Sequence, residues 1–151
     1  MDRYDRNILA LLQQHGRVSW SELAEQINLS ASAVQRRVAS LVEDGVVSGF
    51  KAVLDPKCLG YTVHAQVEVN VERSNKQLAE KFRQHVIATP EVLSCYMVSG
   101  SVDYILEVVA TDIDAYARFI EQEILEIDGV KDASSTIFLR TIKQPSGLPV
   151  E

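Results

Sequence analysis

The stretch that decides the fold runs from Ser19 to Asp44 and has the sequence SWSELAEQINLSASAVQRRVASLVED. A serine followed three residues later by a glutamate, Ser19 and Glu22, is typical of a capping box, in which both side chains satisfy backbone groups at a helix start. The residues from Asn28 to Ser30 interrupt the apolar pattern and favour a turn and a new N-cap. The stretch therefore predicts two short helices joined by a tight turn.

The second predicted helix has one apolar face and one polar, cationic face. Val34, Val38, Leu41 and the adjacent Val42 recur at helical spacing, whereas Arg36 points almost directly away from them. Glycine at position 45 then indicates a left-handed helix stop. Such a pair of helices matches a helix-turn-helix, whose second helix can lie in the major groove of DNA.

Seven residues of this region are candidate DNA contacts. Small side chains at the start of the second helix let base edges approach, and Gln35 and Arg36 are long enough to donate to adenine or guanine. Arg37 is expected on the flank nearer a phosphate, and Arg17 in the preceding turn near the DNA backbone. The alternative interpretation is an ordinary helical hairpin with a solvated face. The predicted DNA-contacting residues are Arg17, Ser30, Ser32, Gln35, Arg36, Arg37 and Ser40.

Short motifs continue before and after this stretch. In the N-terminal part they are Asp2–Leu9, Gly16-Arg17, Glu22–Ala24, Leu29-Ser30, Arg37-Val38, Leu41 and Asp44–Val47. Further along they are Leu59-Gly60, Pro90–Val92, Ser99–Tyr104 and Gly129-Val130. Their order and spacing resemble the Lrp/AsnC family of feast/famine transcription regulators, and the resemblance covers nearly the whole chain. It implies a DNA-binding module followed by an effector-binding, oligomerising module.

Composition and charge agree with two small soluble modules. The chain has 151 residues, 46% of them hydrophobic and 24% charged, and a net charge of −6. Residues 1–60 carry seven basic and seven acidic side chains, so the whole acidic excess lies in residues 61–151. A neutral DNA-binding module binds weakly as a single copy, which favours a dimer or larger assembly. No apolar run reaches the length of a membrane span, so we expect a cytoplasmic protein without membrane contact.

The predicted domain boundary follows the helix-turn-helix. A helix with Asp2 as its N-cap precedes the pair, and residues 1–46 are expected to form the DNA-binding domain. Residues 46–54 are rich in β-branched and aromatic residues and predict a strand, which begins at the domain boundary and continues into a strand and linker region of residues 47–60. The resemblance implies that this strand pairs with its counterpart in a second subunit.

Residues 61–151 predict a ferredoxin-like βαββαβ domain, so that the fold class is α+β. Alternation of apolar and polar residues from Val63 to Val71 indicates a strand with one buried face. The other predicted elements are a helix from Ser74, strands at 92–99 and 104–110, a helix with Ile113, Tyr116, Ala117, Ile120 and Ile124 inward, and a strand at 130–142. Two helices cover one sheet face only, so the other face favours a second subunit and an isologous dimer.

No set of residues indicates catalysis or metal binding. His15, His64 and His85 lie in different elements without ligand spacing, and Cys58 and Cys95 are far apart and are expected to be small apolar fillers. No nucleophile motif or phosphate-binding loop is present. The sequence therefore predicts a protein that is not an enzyme and has no metal or cofactor.

The loop from Ser99 to Tyr104 has the glycine, serine and aspartate that a hairpin turn requires. The resemblance implies, in addition, that it borders a pocket for an amino-acid effector between dimers. Gly100 would allow close backbone approach, and Asp103 could accept a hydrogen bond from an α-ammonium group. The predicted effector-binding residues are Ser99, Gly100, Ser101, Asp103, Tyr104, Ser134, Ser135 and Thr136, although Ala133-Ser134-Ser135 departs from the usual Thr-Ser pair of the family.

We therefore predict a DNA-binding transcription regulator that responds to a free amino acid or related metabolite. Its expected partners are double-stranded DNA, the amino acid, and further copies of itself in a dimer, tetramer or octamer. The competing hypothesis is a small-molecule enzyme or binding module whose helical hairpin contacts only protein. Binding to duplex DNA distinguishes the two.

Overall fold

The computed structural model describes residues 1–72 and 74–150, which form two compact units. One unit is Leu54–Thr141, and the other combines residues 1–53 with the chain from Ile142 onward. We predicted that the second domain extends from residue 61 to the end of the chain. The last residues lie instead with the first unit, where the Gln13 amide accepts from Leu148 N–H at 2.6 Å and donates to Leu148 O at 3.0 Å.

The first unit is built on three helices, each of which begins directly after a capping side chain. They are α1 (Arg3–Gln14), α2 (Trp20–Ile27) and α3 (Ala31–Glu43). Asp2, Ser19 and Ser30 occupy the three N-cap positions and accept hydrogen bonds from backbone N–H groups of the first turn. The predicted Ser19–Glu22 capping box is present, with reciprocal bonds of 3.2 and 2.8 Å. The predicted pair of helices is confirmed.

The apolar faces of these helices form a single buried cluster. Val42, which we expected in it, is 46% exposed, because it lies at the edge of the α3 stripe on the last turn. The cluster consists of Ile8, Leu23, Ala24, Ile27, Val34, Val38 and Leu41.

The segment after α3 differs from the prediction. Residues 46–54, all of which the structure describes, form no strand, although Gly45 does adopt the left-handed conformation at φ +72°. Phe50, Val53 and Leu54 are 55%, 99% and 65% exposed. A strand needs a second strand to pair with, and none of the described residues pairs with this segment in a sheet.

The second unit has the predicted βαββαβ order. Its elements are β1 (Val63–Val71), α4 (Lys76–Ala88), β2 (Val92–Met97), β3 (Tyr104–Ala110), α5 (Ile113–Phe119), a π-helical turn (Ile120–Leu125) and β4 (Val130–Ile137). The antiparallel sheet has the strand order β2-β3-β1-β4. Residues of β1 alternate strictly between buried and half-buried, as the sequence pattern predicted. Every second side chain of β1 therefore packs under the helices, and the others face the open side of the sheet.

Three details of this unit correct the sequence-based expectations. The inner face of α5 includes Phe119, whereas Ile113 and Ala117 are exposed. The buried residues are Tyr116 and Phe119 in α5 and Ile124 in the π turn that follows, where the wider spacing of the turn sets which side chains face the sheet. The last strand ends at Ile137 and not at residue 142. Both cysteines are exposed and not buried fillers.

Candidate functional site

The outer face of α3 projects polar side chains into solvent. Ser32, Gln35, Arg36 and Ser40 are all exposed. Within the described part of the chain, Arg36 makes no hydrogen bond or ion pair, so its guanidinium donors are available to an external acceptor. The Ser40 hydroxyl is already used in part, since it donates to Asp44 Oδ2 at 3.3 Å.

The start of α3 combines small residues with the positive end of the helix dipole. The Ser30 hydroxyl caps the helix by accepting from Ala33 N–H at 3.2 Å, and it lies 3.1 Å from the Ser32 hydroxyl. The free backbone N–H groups of a first turn attract anions such as phosphate. The turn between α1 and α2 exposes Arg17. The geometry is therefore suited to a groove-binding helix with flanking phosphate contacts.

Arg37 has a different environment from the one we expected. Its Nη1 lies 2.7 Å from Asp5 Oδ1 and 2.9 Å from Asp2 Oδ2, and its guanidinium carbon is 5.5 Å from the centre of the Tyr4 ring. The hydrogen bond to Asp5, and next that to Asp2, raise the pKa of Arg37. A backbone hydrogen bond from Asp5, with Arg37 adding to it, lowers the pKa of the Asp2 carboxyl. Arg37 thus lies against α1, and sequence reasoning missed the contact because it depends on how α1 and α3 pack.

Two hydrogen bonds of Asp103 hold the loop between β2 and β3 against the end of β1. The Asp103 carboxylate accepts from Val71 N–H at 2.9 Å, and Asp103 N–H donates to Val69 O at 3.1 Å. Gly100 has φ +145°, and a Cβ placed there would meet no atom within 4 Å. Ser99 and Ser101 are exposed on either side of it. The loop therefore offers open backbone and hydroxyls, while Asp103 also serves the fold.

Tyr104 belongs to the core and not to the loop surface. It is 4% exposed, and its ring centre is 4.8 Å from that of Phe82. Its hydroxyl accepts from Arg83 Nη1 at 3.5 Å, which is a long hydrogen bond. An effector at the loop would not contact the Tyr104 ring in this conformation.

The three hydroxyl residues of β4 are divided between the two faces of the sheet. Ser135 pairs with the buried Val67, so it lies on the helix-covered face, whereas Ser134 and Thr136 pair with Glu68 and Gln66 on the open face. β1 separates all three from β3 and its loop.

Ser135 adjoins the buried Tyr116 phenol. Burial raises the pKa of Tyr116, and the approach of Ser135 opposes the rise, although the two hydroxyls do not form a well-aligned hydrogen bond. Within one chain, the structure therefore does not bring the β4 hydroxyls together with the Gly100 loop.

The open sheet face carries a polar cluster that sequence reasoning did not find. His64 Nε2 lies 2.6 Å from Glu107 Oε1, and Ser94 donates to the same carboxylate at 3.3 Å. Phe138 packs edge-on against the His64 ring at 4.8 Å. His64, Ser94 and Glu107 come from three separate strands and Phe138 follows β4, so only the strand order and register bring them together.

Among residues 1–72 and 74–150, no group of three His, Cys, Asp or Glu side chains could hold a metal ion. In the same part of the chain, no helix has the length and apolar character required to cross a membrane.

Comparison with known proteins agrees with this architecture. Residues 1–48 match the model of a winged helix-turn-helix DNA-binding domain, and residues 64–148 match that of the Lrp/AsnC ligand binding domain. The chain is 37% identical over 146 residues to the transcriptional regulatory protein DoeX of Halomonas elongata, which covers 97% of this chain and 92% of that protein. It is 32% identical over 151 residues to the leucine-responsive regulatory protein of Escherichia coli, covering 100% of this chain and 92% of that protein.

A solved structure shares the fold along the whole chain. The crystal structure of a transcriptional regulator from Neisseria meningitidis in complex with L-methionine superposes with a TM-score of 0.95 at 36% identity, covering 99% of this chain and 96% of that one. The family models together span most of the sequence, and the relatives align over nearly its full length. The chain therefore belongs to the Lrp/AsnC family of transcriptional regulators.

Proposed function

We propose that this regulator recognises its operator through the exposed face of α3. The observation that supports this most directly is Arg36 on the outer face of α3, an exposed guanidinium that has no partner among the residues that the structure describes. Gln35 and Arg36 contact base edges, while the first turn of α3 and the Arg17 turn contact phosphates. Our proposed DNA-contacting residues are Arg17, Ser30, Ser32, Gln35, Arg36 and Ser40; Arg37 is omitted because its guanidinium already binds two carboxylates.

A binding experiment tests this proposal. Selection from a random duplex pool defines the preferred DNA, and gel-shift titrations then compare that duplex with a scrambled one at several salt concentrations. We expect Arg36→Ala to weaken binding to the preferred duplex by about 1–3 kcal/mol and binding to the scrambled duplex much less, because a base contact carries the discrimination. Arg6→Ala, which removes an exposed arginine from α1, is the matched control. Equal losses on both duplexes would contradict the assignment of Arg36 to a base.

We infer that DNA affinity depends on an oligomer. The exposed segment of residues 46–54 and the open sheet face both lack a covering element within the described chain, and a second copy of each is the simplest cover. Dimers that assemble further into tetramers or octamers would present several DNA-binding units to one operator. Since its ligand is DNA, we place the protein in the cytoplasm.

We propose that the second unit binds a free amino acid. The Neisseria relative was solved with L-methionine, which supports an amino acid as the ligand class. In this chain, Ser99, Gly100 and Ser101 offer accessible polar backbone and hydroxyls, and Asp103 supplies a carboxylate next to them. Ser134 and Thr136 face the open side of the sheet, so they would complete such a site only from another subunit. Tyr104 would support the site from the core, and Ser135 from the helix-covered face of the sheet.

The competing hypothesis of an enzyme or protein-binding module makes the opposite prediction for the same experiment. It requires that the wild-type chain shows no preference among duplexes. A selected duplex that is bound more tightly than its scrambled version therefore decides between the two hypotheses.

A further inference from the structure

An ion pair between the start of α1 and α3 involves Arg37, the residue next to the proposed base-reading Arg36. Arg37 Nη1 bridges Asp5 Oδ1 at 2.7 Å and Asp2 Oδ2 at 2.9 Å, and the Asp5 side chain is only 14% exposed. The same two carboxylates form the capping box that begins α1, since Asp2 accepts from Asp5 N–H and Asp5 accepts from Asp2 N–H. One cluster therefore both starts α1 and binds α3.

The charges of this cluster do not favour a phosphate contact. Two carboxylates and one guanidinium leave a formal charge of −1, and Nη1 is already shared between both acids. Affinity for a phosphate comes from positive charge that can displace counterions. To supply positive charge to a phosphate, Arg37 would have to break its contacts with the Asp2 and Asp5 carboxylates.

The position of Arg37 on α3 determines the direction of Arg36. Successive residues of an α-helix project about 100° apart, so the side that faces α1 fixes where the neighbouring side chain points. The apolar contacts of Val34, Val38 and Leu41 set how deeply α3 packs, but burial of apolar surface is not directional. The ion pair of Arg37 with Asp2 and Asp5 lies on one side of α3 and therefore restricts rotation of α3 about its own axis.

We propose that Arg37 is a positioning residue, which with Asp2 and Asp5 fixes the rotation of α3 and so aims Arg36 at the base edges. This rests on the proposed function, because it gives the orientation of α3 a role in reading DNA. The position of Arg37 on the flank of the predicted helix led us to expect a phosphate contact, and the geometry points to an intramolecular one.

The experiment measures binding of four variants to the preferred and scrambled duplexes over a range of salt concentrations. The variants are Arg37→Gln, Asp5→Asn, the double variant, and Glu43→Gln as control. In Asp5→Asn the amide keeps an oxygen for Asp2 N–H but loses the charge that binds Arg37, so the capping box is kept while the ion pair is lost. Glu43→Gln removes an exposed carboxylate of α3 that has no hydrogen bond or ion pair among the described residues, and it calibrates the general effect of one less negative charge.

If Arg37 positions α3, both single variants lose about tenfold on the preferred duplex, and the double variant loses no more than either, because they break one coupled interaction. Binding to the scrambled duplex and the slope of affinity against salt stay as in the wild type. Thermal melting confirms that each variant is folded at the assay temperature. Should Arg37→Gln fail to fold, Asp5→Asn alone decides, since the two roles predict opposite effects for it.

If Arg37 contacts a phosphate, the pattern is different. Arg37→Gln then weakens both duplexes and reduces the salt slope by about 0.9, and Asp5→Asn binds as tightly as the control or tighter. That result overturns the inference, as does a set of variants that all bind like the wild type. A wild type that prefers no duplex would instead refute the proposed function, and the inference would fall with it.

Discussion

Gly129 lies at the entry to β4, and replacing it with alanine should destabilise the second unit by two separate effects. Its φ is +91°, and a Cβ built there would lie 2.8 Å from Leu78 Cβ and 3.1 Å from Leu78 Cδ1. A left-handed conformation costs an L-residue about 1–2 kcal/mol. Leu78 Cβ is attached to the backbone of α4 and cannot rotate away, so the overlap adds about 1–3 kcal/mol of overpacking. The expected loss is about 2–5 kcal/mol.

Gly60 offers a matched control for the conformational part of this cost. Its φ is +86°, and a Cβ there would meet no atom within 4 Å. Gly60→Ala should therefore lose only the conformational term, about 1–2 kcal/mol. The restriction of the unfolded chain is the same for both substitutions and cancels in the comparison.

Thermal and urea denaturation of the two variants measure the difference. For a unit of this size, each kcal/mol corresponds to about 4–8 °C in Tm, so Gly129→Ala should melt well below Gly60→Ala. Because Gly129 O also accepts from Glu72 N–H at 2.7 Å, the shift should be accompanied by loss of pairing between the ends of β1 and β4. Equal losses for the two variants would refute the reasoning, since Leu78 would then not present a rigid contact.

The remaining predictions concern assembly and the effector. Residues 54–141 expressed alone should fold and associate, because the open sheet face needs a cover, and a folded monomer in light scattering would remove that account of the dimer. A calorimetric screen of the common amino acids should find a ligand whose affinity falls in Asp103→Asn but not in the control Asp132→Asn. The affinity of that ligand should also change when operator DNA is present, since an effector must bind one state better than another. The amide of Asp103→Asn keeps an oxygen acceptor for Val71 N–H, so the variant tests the charge and not the fold of the loop. If no amino acid binds, or if affinity is unchanged in Asp103→Asn, the loop has only a structural role.

Local signals in the sequence were sufficient for most of the secondary structure. The caps at Asp2, Ser19 and Ser30 depend on side chains that bond to backbone groups two or three residues away, so no tertiary contact is needed to place them. The alternation along β1 likewise follows from the two-residue period of a strand. These two patterns, together with the order of the elements, were enough for the helix-turn-helix and the βαββαβ unit, whereas the family was indicated by the resemblance of the short motifs.

Features that need a second element could not be read in this way. The segment of residues 46–54 has strand composition but no strand, because β structure requires a hydrogen-bonded neighbour and composition does not supply one. The inner face of α5 shifted to Phe119 because packing against the sheet and a π turn decided it. The end of β4 at Ile137 is where its pairing with β1 stops, opposite Ala65, and this register is a property of two strands.

The candidate sites divide in the same manner. The sequence alone determined that α3 has an outer face with Gln35 and Arg36, since helical periodicity fixes which residues lie opposite the apolar stripe. Only the tertiary structure decided that Arg37 turns toward Asp2 and Asp5, and that it is Ser135, and not Ser134 or Thr136, that lies on the helix-covered face of the sheet. Periodicity describes one element at a time, whereas an ion pair between helices or a shared sheet face depends on the packing and register of elements far apart in the chain.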